Sequence, residues 1–580
     1  MIRKLFESET RYLWSRLARA ADGDESLAPL YSPNGDPRVT RLVQAAAYVF
    51  ARVKEKVEDD IPEIGHALVG SALPEVLRGI PSATIVQLSD AHGARRNVLE
   101  HGTQRLESRP VDGIACIFET SWPVTTSPLH LDDARVRTLE PGAKTLTLRL
   151  RASSAVSLSK SIPEAVRVFV RASDPLRALD VIQGLQTTKR PPRIQTFSAS
   201  GVRIATRELP PGCIRWTAVE EAFRLFPGTP DRFSSSTALR AFFAFPEVFG
   251  FFDVRGIAEA LQGHREDVRA VELTLPLDGA VDASSEVTFH LDCAPAVNVF
   301  EAAAEAVEVH QLGPVGSLVV AERPDAEVFE VQGVYLVPAQ RPDDRIEVHL
   351  WERGGPDAAF DDELFVRVMR RASVDRGPTD LRLTLLRPDG GAVVPRGVLG
   401  ASLLVSDGYR ASELRRGDVT RAHDSMQCAN ITRVSPAYPP VLDERLPWRV
   451  NAYARMPLMH LATASSLAAF VDLHDLRPNR RTVPKDATPA SAGFSAVHRR
   501  PVYRVEGEDV IHGDAVDLVL NEAAFGGMGA TWLIGELLAR ALAERTDVLR
   551  YTHTRWVTTD GAVRADYGAR PGERVPPPFG

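Results

Sequence analysis

The stretch DPRVTRLVQAAAYVFARVKEKVEDDIPEI, residues 36–64, constrains this chain more than any other. Asp36 suits an N-cap and Pro37 the first helical position. Apolar residues then recur at Val39, Leu42, Val43, Ala46, Val49, Phe50, Val53 and Val57, the spacing of an amphipathic helix. Arg38, Arg41, Gln44, Arg52, Lys54, Glu55 and Glu58 line the opposite face. Asp59 and Asp60 are expected to end this helix and Pro62 to open a second. There Ile64, Leu68, Val69, Leu73, Val76 and Leu77 repeat the spacing before GIPSATIVQL turns the chain into a strand. Two helices with a short connection predict a hairpin. Its apolar stripe must face this chain's own core or another subunit, and periodicity is compatible with both.

Beyond the hairpin the period changes. KTLTLRLRA sets Leu146, Leu148 and Leu150 against Thr145, Thr147 and Arg149, the alternation of a half-buried strand, and AVRVFVRA repeats it. DPLRALDVIQGLQ starts a helix with Asp174 as cap and Pro175 behind it. Further strands are predicted at VRAVELTLPL, EVTFHLD, GSLVVAE, EVFEVQGVYLV, RIEVHLWER and DLRLTLLRPDGG. Helical patterns return in ATASSLAAFVDLHDL and ATWLIGELLARALAERT, and RPGERVPPPFG reads as a proline-rich tail. The fold class predicted is α+β and multidomain: an N-terminal helical hairpin, β-rich domains, and a C-terminal mixed α/β domain. The expected divisions are 1–88 helical, 89–280 mixed α/β, 281–440 β-rich, and 441–580 mixed α/β with the tail.

Composition removes several functional classes. The 580 residues are 25% charged and 44% hydrophobic, ordinary globular values with enough chain for about three or four domains. A formal net charge of −7 gives no footprint for nucleic acid, because phosphate binding needs a clustered positive excess. The basic clusters TTKRPPR (187–193), NRRTVPK (479–485) and HRR (498–500) read as exposed loops. MIRKLFESETRYLWSRLARA lacks the apolar centre and cleavage site of a secretory signal, and no stretch approaches the roughly 18 apolar residues of a membrane span. Cys116, Cys213, Cys293 and Cys428 are too dispersed for a zinc site or a disulfide framework, so cytoplasmic residence is expected.

The sequence offers little catalytic chemistry. FGGMGATW has its glycines misplaced for a phosphate loop and carries no basic residue, so it reads as a turn before a helix. GFSAV lacks the second glycine of a nucleophile elbow around Ser495. His460 and His474 are too far apart to share a helical face. LHLDD places His130 beside Asp132 and Asp133, which reads as a polar turn rather than a hard-metal cluster. The acidic pairs Asp59/Asp60, Asp343/Asp344 and Asp361/Asp362 fall at loops or helix ends, where solvated charge is the ordinary outcome. The expectation is no catalytic residue, no metal and no cofactor. One aromatic stretch stands out, ALRAFFAFPEVFGFFDVRG, with Phe242, Phe243, Phe245, Phe249, Phe251 and Phe252. It suits a thick core or a contact with another chain. Pro246 should place a bend after Phe245. Phe251 and Phe252, on opposite faces of a strand, require both faces covered, one of them by a neighbouring domain or subunit.

The order of these motifs resembles the TssF family, the type VI secretion system baseplate subunits related to wedge proteins of contractile phage baseplates. The resemblance rests on Asp36, Pro37, Arg41, Leu42, Ala51 and Arg52, on DDIPE (59–63) and on IPSATIVQ (80–87). It continues through FAFPEVFGFFDVRG (243–256), LDCAPAVNVFE (291–301) and VFEVQGV, and ends in the strand, Gly-rich turn and helix of 513–556. Two departures stand out: a short opening of thirty-five residues, and CANITRVSP (428–436) where the family has a more conspicuous motif. The resemblance implies structural work without catalysis. Two copies of this chain would embrace one TssG in a wedge around the VgrG spike. TssK and TssE would attach through the baseplate, in the cytoplasm, docked on the inner-membrane complex. The interface candidates are Val39, Leu42, Val43, Ala46, Val49, Phe50 and Val53 on the helix, and Phe245, Phe249 and Phe252 in the aromatic stretch. The alternatives from other classes are a β-rich carbohydrate-active enzyme using two separated carboxylates, or a non-assembling binding adaptor.

Overall fold

The computed structural model describes residues 2–574 except 22–35, 73, 91–98, 102, 141–142, 153–157, 159–161, 229–233, 263–267, 280, 282–285, 313–315, 324, 352–363, 373–378, 389, 423–425, 441–445, 455, 478–491 and 508. Over helix residues 54–68 it describes the backbone alone. The chain divides into a helical unit, 1–74 with 442–451, and a body formed by the rest.

In the helical unit, α1 (Ile2–Ala21) packs against α2 (Pro37–Ala72). Asp36 accepts a hydrogen bond from Arg38 N at 2.8 Å, the cap that its position requires. The expected break at Asp59–Pro62 is corrected: α2 runs through Pro62 as one helix, and the hairpin partner is α1. Two new helix ends would each leave four backbone groups unsatisfied, whereas one internal proline removes a single bond. The side chains of Asp59 and Asp60 lie outside the described residues, as do Asp361, Asp362 and the basic stretch 479–485.

In the body, Ala83–Asp90, Cys293–Val297, Ile114–Thr120, Arg105–Val111, Val419–Ala422 and Met426–Asn430 close into a barrel. Antiparallel register fixes the first strand on both sides, Ile85 opposite Pro295 and Leu88 opposite Cys428. Val86, Leu88, Leu106, Cys116 and Phe118 belong to one buried apolar cluster. A five-stranded sheet has Ala270–Leu277 between Arg193–Phe197 and Ala143–Ala152. A four-stranded sheet pairs Phe251–Arg255 with Ala165–Ala172. A larger sheet is built on Gly397–Ser406 paired with Glu327–Pro338. Of GSLVVAE only Gly316–Ser317 forms a strand. The HRR cluster is strand rather than loop, lying in Phe494–Glu506.

The C-terminal sheet has strand order Phe494–Glu506, Asp509–Leu520, Tyr551–Val557, Val563–Pro571. Its second and third strands are parallel and joined through the helix Met528–Ala543, a βαβ crossover. That helix packs on Pro175–Thr187 and on Ser235–Ala244, tying the sheets into one large apolar core. Gly529 is needed there, because a Cβ would lie 2.4 Å from Asp180 N. The backbone approach lets Asp180 Oδ1 accept from Gly529 N at 2.8 Å, capping the incoming helix. The fold is thus α+β, with a helical hairpin leading β-rich layers and a mixed C-terminal region.

Candidate partner-binding surfaces

α2 carries more apolar surface than its own unit covers. Val43, Ala47 and Ala51, spaced four residues apart, are its buried line. Beside them Leu42, Val49, Phe50 and Val53 are each more than half exposed, Leu42 at 71%. With the half-buried Val39 and Ala46 they span an arc of about 100° on the helical wheel. Of the seven helix candidates, the structure therefore buries Val43 and leaves a contiguous apolar face of the other six uncovered or half-covered. Tyr12 on α1 and Tyr48 on α2 add exposed aromatic surface that the apolar periodicity had not singled out.

The three phenylalanines call for a correction: Phe245, Phe249 and Phe252 lie in this chain's own core at 1%, 0% and 0% exposure and offer no free surface. The bend falls at Phe245, which caps the helix Ser235–Ala244, and Pro246–Phe249 follows as a 3₁₀ turn. Phe251 and Phe252 then occupy opposite faces of one strand, and both faces are covered within this chain. Phe251 packs edge-on to Trp122 at 5.2 Å and against Phe169 at 4.8 Å. No neighbouring subunit is needed to bury either ring.

The polar features of the sequence resolve into structural pairs. His130 is exposed on a strand, where Asp132 bonds Arg151 at 3.0 Å and Asp133 bonds Arg135 at 2.7 Å. Among the described residues no group of His, Cys, Asp or Glu is arranged to hold a metal ion. The glycine-rich turn ends the short helix Glu522–Phe525 at left-handed Gly526, and Met528 starts the long one. All four cysteines are free and buried, and burial pushes the Cys428 thiol up to about 11 and Cys116 to about 12.

A cavity of about 280 Å³ is lined by Arg167, Glu221, Asp253, Asp292 and Cys293 among others. Arg167 is bidentate to Asp253 at 2.8 and 3.1 Å and reaches Glu221 at 3.0 and 3.1 Å. Burial works against its charge, but the two carboxylates outweigh that and raise its pKa. These groups pair with one another and the Arg167 guanidinium lies over the Trp122 ring, so the cluster ties two strands to the short helix Ala218–Glu221. Sequence reasoning missed it because Arg167, Glu221 and Asp253 are separated by tens of residues: strand pairing sets Arg167 opposite Asp253, and the short helix Ala218–Glu221 brings in the third group.

The family model "Type VI secretion system, TssF" matches residues 21–574. The component TssF1 of Pseudomonas aeruginosa is 28% identical over 323 residues, 51% of each chain, so the match spans about half the length of that curated relative. A chain of the type VI secretion system TssK-TssF-TssG baseplate subcomplex, solved by cryo-electron microscopy, superposes with a TM-score of 0.72 at 20% identity. That superposition covers 93% of this chain and all of the other. A chain of the type VI secretion baseplate complex gives 0.56 at 18% identity, covering 99% and 100%. At these identities the structural matches speak to fold alone. No helix among the described residues is long and apolar enough to cross a membrane.

Proposed function

Because the chain belongs to the TssF family of the type VI secretion system, we propose that it works as a structural subunit of a baseplate wedge and performs no catalysis. The observation carrying this reading is the uncovered arc Leu42, Val49, Phe50 and Val53 on α2, which a partner helix would bury. On this proposal a TssG-type protein supplies that helix, with two copies of this chain per TssG. TssK attaches to the wedge, and TssE and VgrG are reached through the baseplate. The assembly sits in the cytoplasm against the inner-membrane complex. The superposed chains come from a TssK-TssF-TssG baseplate subcomplex and from a type VI secretion baseplate complex, which supports the choice of TssG and TssK. The hydrolase alternative gains no such support: Asp132 and Asp133 are engaged by arginines, and Asp344 lies near Arg341 in an exposed turn.

Co-expression with the TssG-type protein and native mass spectrometry test this reading, with a two-to-one complex expected. The double substitution Phe50→Asp, Val53→Asp should abolish the complex while the free chain folds, because neither side chain is in the core. Undiminished assembly by the double variant, or absence of any complex with the native chain, would overturn it.

A further inference from the structure

Two segments of the body adjoin the helical unit in sequence: Glu75–Ile80, directly after it, and Tyr438–Pro440, shortly before residues 442–451. They run side by side. Ile80 N donates to Tyr438 O at 2.7 Å and Tyr438 N to Ile80 O at 2.8 Å, an isolated antiparallel bridge. Gly79 permits the approach, since a Cβ there would stand 2.8 Å from Tyr438 O and 3.2 Å from Pro440 Cδ.

The first segment is also gripped from the side. Arg240, on the helix Ser235–Ala244 and only 5% exposed, donates through Nη1 to Glu75 O and through Nη2 to Arg78 O at 2.7 Å. Arg78 in turn donates to Glu330 Oε1 at 2.7 Å and to Gly228 O at 2.8 Å, its guanidinium over the Phe329 ring. One short segment is thereby tied to a helix, a loop and a strand of the large sheet. Burying an arginine is costly, and an apolar side chain at 240 would serve core stability at least as well. Burial lowers the Arg240 pKa to about 10, with the Glu75 carboxylate opposing that shift. What the guanidinium adds is a fixed fork that captures two carbonyls of the same segment.

The position of this grip gives it a use. The barrel strand Ala83–Asp90 begins three residues after Ile80, and a pull along α2 reaches the body at Glu75. Ungripped, that pull would peel the strand from its neighbours one rung at a time, starting at Ala83 opposite Val297. We propose that Glu75–Ile80, Tyr438–Pro440, Arg240 and Arg78 form a force-bearing clamp, which holds the root of the long helix and keeps load on the helical unit from unzipping the barrel. This goes beyond the baseplate reading and stands without it.

Single-molecule pulling on the full chain, with handles at the N-terminus and at Ser200→Cys in an exposed turn, tests the clamp. The native chain should release the helical unit first and the barrel in a separate event at higher force. Arg240→Lys, which keeps the charge but not the fork, should merge the two events or bring the barrel event down to the first. Hydrogen exchange on the same variant should be at least tenfold faster at residues 75–80 and at Tyr438, and unchanged in the strands 494–571. If Arg240→Lys does not fold, Arg78→Gln is expected to show the same local acceleration and loss of the second event. Release of barrel and helical unit together in the native chain, or native-like traces and exchange in the variants, would overturn the proposal.

Discussion

His474 shows how a single residue sets a pH response. Its Nδ1 lies 2.7 Å from Phe470 O and its Nε2 2.7 Å from Ser236 Oγ. The carbonyl can only accept, so Nδ1 carries the proton and Nε2 accepts from the serine hydroxyl. Burial lowers the pKa to about 3, with the Phe470 hydrogen bond opposing and Arg240 and Arg545 reinforcing the shift. With the folded value depressed, the unfolded chain binds the proton first as pH falls. Stability is therefore fully present above about 6.5 and is lost from there down toward the folded value of about 3. One unit below 6.5 the loss is about 1.4 kcal/mol. Urea titrations at pH 7.5 and 5.5 should show a drop in stability about 1.4 kcal/mol smaller for His474→Gln than for the native chain, the comparison subtracting every other titrating group. Equal drops would mean that the fold does not depress the pKa of this ring. In the sequence this histidine was visible only as one end of a helical run, because Ser236, Arg240 and Arg545 are remote from it in the chain. The phenylalanines were more legible: Pro246 fixed the bend, and strand geometry required both faces around Phe251 and Phe252 to be covered. That the cover comes from this chain could not be read from local spacing.

Elements were legible where one period persists. Ala143–Ala152, Ala165–Ala172, Glu327–Pro338 and the capped helix Pro175–Thr187 coincide with their sequence patterns to within a residue or so. The helix α1 carried a usable signal that went unread: Phe6, Thr10, Leu13, Trp14 and Leu17 fall on its half-buried face at helical spacing. The barrel could not be read, since alternation marks a strand but not its neighbours, and Leu88 meets Cys428 from the far end of the chain. Continuity of α2 through Pro62 illustrates a strong local rule yielding to cooperativity. It also makes an element-scale prediction. If the helix runs through, Pro62→Ala restores a backbone bond and removes a ring clash, and should stabilise the helical unit by about 1 to 3 kcal/mol. Thermal melts followed by far-ultraviolet circular dichroism, with hydrogen exchange across 54–72, measure this. A neutral or unfavourable effect would mean that the helix does break at the acidic pair.

At the scale of the molecule the two units differ in what holds them. The body's largest core draws on five sheets and several helices, whereas the described buried apolar residues of the helical unit amount to Val43, Ala47, Ala51, Val69 and Val450. Hydrophobic burial is the main favourable term in folding, so the helical unit should be the less stable part and melt first. Calorimetry on the free chain is then expected to resolve two transitions rather than one. If the uncovered α2 face is where the proposed TssG-type partner docks, binding stabilises the unit that carries the face. At a free partner concentration of 100 times Kd the gain is about 2.7 kcal/mol, which for a unit of this size moves the lower transition up by on the order of 10 °C. The upper transition stays in place, because the body gains no contact in that event. Phe50→Asp with Val53→Asp should erase the shift while leaving both transitions of the free chain near their native temperatures, since both side chains are more than half exposed. A partner that raised only the upper transition would locate the interface on the body, and a single cooperative transition in the free chain would show the two units to be one folding entity.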